Sequence, residues 1–150
     1  MEGAKQGIVV AGGQGEGNGL TQLQYPEGVI VDQLGTVYVA DSHNDRIMRW
    51  PKGATQGSVI VGENGEGEQS NPLGTLTGLS FDQHGNLYAI DMRDSRQHFL
   101  RSANVNADVK WIRNGITIAG GNASGNATNQ LCNPYSLCID DNQTVYIADC

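Results

Sequence analysis

Apolar and polar residues alternate with period two through several short stretches of the chain, and those stretches recur. In Gly35-Thr36-Val37-Tyr38-Val39-Ala40-Asp41, Val37 and Val39 alternate with Tyr38 and Ala40, the pattern of a strand with two distinct faces. The polar cluster Ser42-His43-Asn44-Asp45 follows and reads as a turn, because these side chains bond back to nearby backbone. Extended character resumes at Arg46-Ile47-Met48-Arg49-Trp50.

The same strand returns as Gly85-Asn86-Leu87-Tyr88-Ala89-Ile90-Asp91 and as Gln143-Thr144-Val145-Tyr146-Ile147-Ala148-Asp149, at offsets of 50 and then 58 residues. Gly28-Val29-Ile30-Val31-Asp32 returns as Gly78-Leu79-Ser80-Phe81-Asp82 and Ser136-Leu137-Cys138-Ile139-Asp140 at the same offsets. So does Gly7-Ile8-Val9-Val10-Ala11-Gly12, as Gly57-Ser58-Val59-Ile60-Val61-Gly62 and Gly115-Ile116-Thr117-Ile118-Ala119-Gly120. Three landmarks sharing one period of about 40 to 50 residues, each carrying short strands, are the mark of propeller blades.

The pattern divides the chain into segments. Residues 1–27 read as the end of one blade and a connector, with an orphan fourth strand at 8–11. Blade one occupies 28–77, with strands at 28–32, 36–40, 46–50 and 58–61. Blade two occupies 78–135, with its third strand near 97–101, and its eight extra residues are expected between Arg101 and Gly115. Residues 136–150 make half of a third blade. The fold class is all-β: four-stranded antiparallel blades in an open arc of roughly two and a half to three. Twenty-one glycines in 150 residues suit many short strands joined by tight turns.

These motifs resemble the NHL repeat. The resemblance rests on Pro26-Glu27-Gly28-Val29-Ile30-Val31-Asp32, then Gly35-Thr36-Val37-Tyr38-Val39-Ala40-Asp41, then Asn44-Asp45-Arg46-Ile47. Blade two departs from it, with Leu76 in place of the proline. The resemblance implies a closed β-propeller, commonly of six four-stranded blades. A chain of this length cannot close such a ring alone, so a fragment of a larger propeller is expected, with self-association through open blade edges as the alternative.

The candidate chemistry is sparse. Asp41, Asp91 and Asp149 repeat too regularly for an active site, which needs asymmetry between blades, and are read as structural turn residues; Asp32, Asp82 and Asp140 in the first hairpins have the same reading. His43, His84 and His98 fall at different points of the repeat and do not converge as a metal site would require. Gly12-Gly13-Gln14-Gly15-Glu16-Gly17 looks like a phosphate loop, but it precedes no helix and recurs as a blade connector. No catalytic, cofactor-binding or metal-binding residue is therefore assigned. Tyr38, Tyr88 and Tyr146 share one register and are expected to pack between blades.

A net charge of −7 argues against broad binding to phosphate backbones. Arg93, Arg96, Arg101, Lys110 and Arg113 are locally basic, yet the segment has few aromatic residues to stack on bases, so RNA is disfavoured. No apolar run is long enough to cross a bilayer. The N-terminus shows no signal-peptide pattern. The sequons at Asn122, Asn126 and Asn142 are candidates for glycosylation, and together with Cys132, Cys138 and Cys150 they tilt only weakly toward an extracellular setting. Cys138 occupies an apolar strand slot, where a buried thiol is expected.

The expected function is a non-catalytic protein-interaction module. Its partner contact is placed on the least repeated loop, 102–114, with Arg101, Asn104, Lys110, Trp111 and Arg113 as the contact residues. The alternatives are a metal-dependent lactonase or lyase completed by further blades, and an RNA-binding NHL domain.

Overall fold

A computed structural model describes residues 7–62, 75–94, 97–104, 116–120, 131–132 and 134–148; for 93–94, 97–104 and 116–120 it describes the backbone. Among the described residues ten strands make three antiparallel sheets. The first contains β1 (Pro26–Val31), β2 (Val37–Asp41), β3 (Arg46–Trp50) and β4 (Ser58–Val61). The second contains β5 (Thr75–Phe81), β6 (Asn86–Asp94), β7 (Gln97–Asn104) and β8 (Ile116–Gly120). The third contains β9 (Ser136–Ile139) and β10 (Val145–Ala148). Within each sheet the strands pair in chain order, as short hairpin connections dictate.

The sheets pack against one another in sequence. β5 lies against β1 and β2, and β9 lies against β5. First strands of successive sheets are therefore neighbours, which is how propeller blades surround an axis. The fold is an arc of a β-propeller.

Alternation along the strands decides what each interface contains. Tyr38, Ala40, Ile47 and Val61 from the first sheet meet Leu76, Leu79, Leu87 and Ala89 from the second in one apolar cluster. The opposite face of the first sheet, Val37, Val39, Met48 and Trp50, is covered in part by Ala11 and Leu23. Ile90 and Leu137 join the second sheet to the third, with Tyr88, Met92, Ile139, Val145 and Ile147 around them. Each such side chain contributes about 1.5–3 kcal/mol on full burial, so the blade interfaces dominate the stability of the arc.

Gly28 marks the closest approach between blades. A Cβ at this position would run into the main-chain carbonyl of Thr77 on β5, so only glycine lets β1 and β5 lie this near. The first hairpins need a different freedom. Gly35 and Gly85 stand at φ of +81° and +79°, and the third sheet places Gln143 at the same point with φ +64°.

Two local expectations are corrected. Residues 8–11 form no strand; a strand exists only beside a paired neighbour, and none of the described strands pairs with them. The extra residues of blade two are also not all in one place. Asp41 faces Arg46 across the first β2–β3 hairpin, five residues on, whereas Asp91 faces Phe99, eight residues on. Three of the eight extra residues thus belong to the β6–β7 hairpin. The remaining five lie between β7 and β8, because Ile47 faces Val61 while Leu100 faces Ala119.

Candidate functional site

Each first hairpin is built on one aspartate. In the first sheet Asp32 Oδ1 accepts the backbone N–H groups of Leu34 at 2.9 Å and Thr36 at 2.8 Å, and Oδ2 accepts the Tyr38 hydroxyl at 3.1 Å. In the second, Asp82 takes His84 N–H at 2.9 Å, Asn86 N–H at 2.8 Å and the Tyr88 hydroxyl at 3.1 Å. In the third, Asp140 takes Asn142 N–H at 2.9 Å, Thr144 N–H at 2.8 Å and the Tyr146 hydroxyl at 3.1 Å. The carboxylate closes the turn and pins the second strand through its tyrosine.

Burial alone would raise the carboxyl pKa of Asp32 and Asp82. The hydrogen bonds from Thr36, Tyr38 and Leu34, and from Asn86, Tyr88 and His84, outweigh it and hold both below the usual carboxylate range. Asp140 is lowered chiefly by the Thr144 backbone N–H. The tyrosines move the opposite way. Tyr38 and Tyr88 are raised by burial and by the aspartate they bond, and Tyr146 by its bond to Asp140.

Asp41 reaches further than its own turn. Its Oδ2 meets Arg46 Nε at 2.7 Å, with both side chains buried, and also accepts from Asn44 Nδ2 at 2.8 Å. Its Oδ1 accepts the backbone N–H of Gln24 at 2.6 Å. Arg46 spends its remaining donors on the carbonyls of Asn18 at 2.6 Å, Gly19 at 3.1 Å and Gln22 at 3.2 Å. Asn44 adds a bond to the Gly17 carbonyl at 3.0 Å. The glycine-rich connector is thereby fastened to the β2–β3 turn. The signal in the sequence was the Asp–Arg spacing of five across a turn; what it holds, some twenty residues earlier in the chain, has no periodic signature.

The remaining sequence-derived candidates are dispersed. Asp91 is buried in β6. His43 is exposed and stacks on Tyr25, with ring centroids 4.1 Å apart, while His84 sits exposed in the β5–β6 hairpin. Among the described residues no group of three His, Cys, Asp or Glu side chains could hold a metal ion, and no helix is long and apolar enough to cross a membrane. Cys138 is exposed, against expectation: alternation in β9 gives the inward place to Leu137, which packs on Ile90. Arg101 and Asn104 lie on β7, opposite Ala89 and Asn86. Asn142 is exposed in the β9–β10 hairpin. Lys110, Trp111, Arg113, Asn122, Asn126, Asp149 and Cys150 lie outside the described residues.

A family model picks out the stretch that carries β1, β2 and most of β3: the model of the NHL repeat matches residues 23–49. The chain carries an NHL repeat. The matched span of the NHL repeat holds Gly28, the Asp32–Tyr38 hairpin bond and the Asp41–Arg46 pair. No curated protein sequence matches the chain.

Proposed function

We propose that this propeller module is a non-catalytic protein-interaction platform whose selectivity comes from the loops at either end of β7. The observation that carries this reading is the uneven enlargement of blade two. Its packed register repeats that of blade one, yet the β6–β7 hairpin is three residues longer and the β7–β8 connection five residues longer. The hairpin's added length extends the β6–β7 ladder past the Asp91–Phe99 pair and the connection's added length lies beyond β7, so both enlarge the ends of the blade, and the rims of rigid scaffolds are where partners bind.

β7 runs to Asn104, beside the Asn86 end of β6, so the following connection emerges on the rim of the first hairpins. Asn104 stands at its base and Arg101 three residues earlier within β7, with Lys110, Trp111 and Arg113 in the connecting sequence itself. Tryptophan and arginine are the residue types that anchor interfaces.

Replacing residues 105–114 with the blade-one connection, Pro51 to Gly57, tests this. Cross-linking in an extract of the source cells should recover a protein partner with the parent chain and lose it with the replacement, at an unchanged circular dichroism spectrum. Retention of the same partner by the replacement would sink the assignment. Turnover of a lactone by the purified chain would overturn the non-catalytic part.

A further inference from the structure

The glycine-rich connector holds a residue pair with chemistry of its own. Asn18 is exposed and is followed by Gly19. The side-chain amide of an asparagine is open to attack by the main-chain nitrogen of the next residue, and glycine, with no Cβ, obstructs that approach least. What limits the attack is the proton on that nitrogen, because a peptide nitrogen becomes a nucleophile only once it is lost. The anion that results is shared between the nitrogen and the carbonyl oxygen of the same peptide group.

Here that oxygen belongs to Asn18, and Arg46 is aimed at it. Arg46 Nη1 donates to the Asn18 carbonyl at 2.6 Å, while Nη2 donates to the carbonyls of Gly19 at 3.1 Å and Gln22 at 3.2 Å. The guanidinium is buried and held in place by Asp41 Oδ2, 2.7 Å from Nε. A fixed cation at the atom where negative charge develops favours the charged state without any rearrangement at the moment of reaction. On its other side the same peptide group is held loosely: the Gly19 N–H donates to Gln22 Oε1 at 3.3 Å, a long bond for this donor.

We infer that Asn18–Gly19 is a site of spontaneous main-chain modification activated by Arg46. Gly19 N loses its proton to solvent and bonds to Asn18 Cγ; the Cγ–Nδ2 bond breaks, and the departing nitrogen takes up a proton and leaves as ammonia. Water then opens the cyclic imide. Cleavage between the nitrogen and the main-chain carbonyl carbon gives isoaspartate, and cleavage between the nitrogen and Cγ gives aspartate. Nothing is oxidised or reduced. Isoaspartate lengthens the main chain by one methylene group and turns the carbonyl held by Arg46 into a carboxylate, so that Arg46 then faces two carboxylates, the new one and Asp41. The fastening of the connector to the β2–β3 turn is thereby altered by a charge-changing modification, independently of what the β7 loops bind.

The experiment is peptide mapping by mass spectrometry on the chain held at mildly alkaline pH. The reaction is read as a gain of about 1 Da in the peptide that carries Asn18, kept apart from the peptides of the other Asn-Gly pairs, Asn64-Gly65 and Asn114-Gly115. The reference is a synthetic peptide of residues 14–23 in the same buffer, which has the Asn-Gly pair but not Arg46. Asn18 should react about tenfold faster in the folded chain than in the peptide, less than the gain of about a hundredfold or more that a water-excluded oxyanion donor supplies, because Asn18 is exposed. R46K, which keeps the charge, should retain part of the gain, and R46M should lose it, each with a circular dichroism spectrum matching the parent. A rate in the parent chain equal to or below that of the peptide would overturn the proposal, as would an R46M chain, folded like the parent, that keeps the parent's rate. The comparison of parent and peptide needs no variant and decides the matter if R46M misfolds.

Discussion

Arg46 and Asp41 form a buried ion pair at 2.7 Å that ties the blade-one turn to the connector before it. Burying two charges is costly, and such a pair is stable only when its remaining donors and acceptors are satisfied. Here four further bonds from backbone to Asp41, and from Arg46 to backbone, complete it. The R46M variant would leave the carboxylate buried without its cation and take the guanidinium from three carbonyls, of which Gly19's keeps the Gln22 N–H. We expect it to destabilise the protein by about 3–5 kcal/mol, read from the urea midpoint. R46K, which keeps the charge but not the planar fork, should fall between. A loss for R46M of under about 1 kcal/mol would mean that the pair contributes no more than a surface one.

The hairpin aspartates predict a dependence on pH. Their folded pKa lies below the ordinary value of 3.8, so the folded state binds the proton less readily than the unfolded one. The stability they contribute is fully present above that value and is lost as pH falls through the lower folded value. The tyrosines lie above 10.0; their contribution is complete below it and is lost as pH rises through the higher folded value. Denaturant midpoints should therefore decline at both extremes. D82N, at the most buried of the three aspartates, should flatten the acid limb; an unchanged limb would place the sensitivity elsewhere.

Gly28 should tolerate no side chain. G28A puts a methyl group into the Thr77 carbonyl, forcing β1 and β5 apart, at a cost of about 1–3 kcal/mol. The control is G53A, at a turn glycine where a Cβ meets nothing within 4 Å but φ is +79°; it should cost about 1 kcal/mol through backbone strain alone. Equal losses at the two positions, without change in blade packing by hydrogen exchange, would contradict the close-approach account.

Gln143 offers the reverse test. It holds φ +64° where the other two hairpins use glycine. Q143G relieves a left-handed strain of about 1–2 kcal/mol against a larger unfolded-state entropy of about 0.4–1 kcal/mol. A net gain of between zero and about 1.6 kcal/mol is expected in thermal unfolding, and a loss would show that the glutamine is held by contacts that offset its strain.

Much of the architecture was legible in the sequence. Strand positions followed from alternation at Val37 to Ala40 and its two recurrences, because which face a strand residue occupies depends only on its neighbours along the chain. The hairpin role of Asp32, Asp82 and Asp140 was equally local, since a carboxylate reaching amides two and four residues on needs no other part of the fold. Tertiary structure alone decided the rest. It set the three-residue shift that puts Phe99 opposite Asp91, because a polar hairpin carries no apolar pattern to fix its register. It sent Asp41 and Arg46 to a connector some twenty residues away. It also buried Tyr38 and left Tyr146 exposed, although both stand at one repeat position, because burial requires a second surface and a repeat in sequence does not supply one.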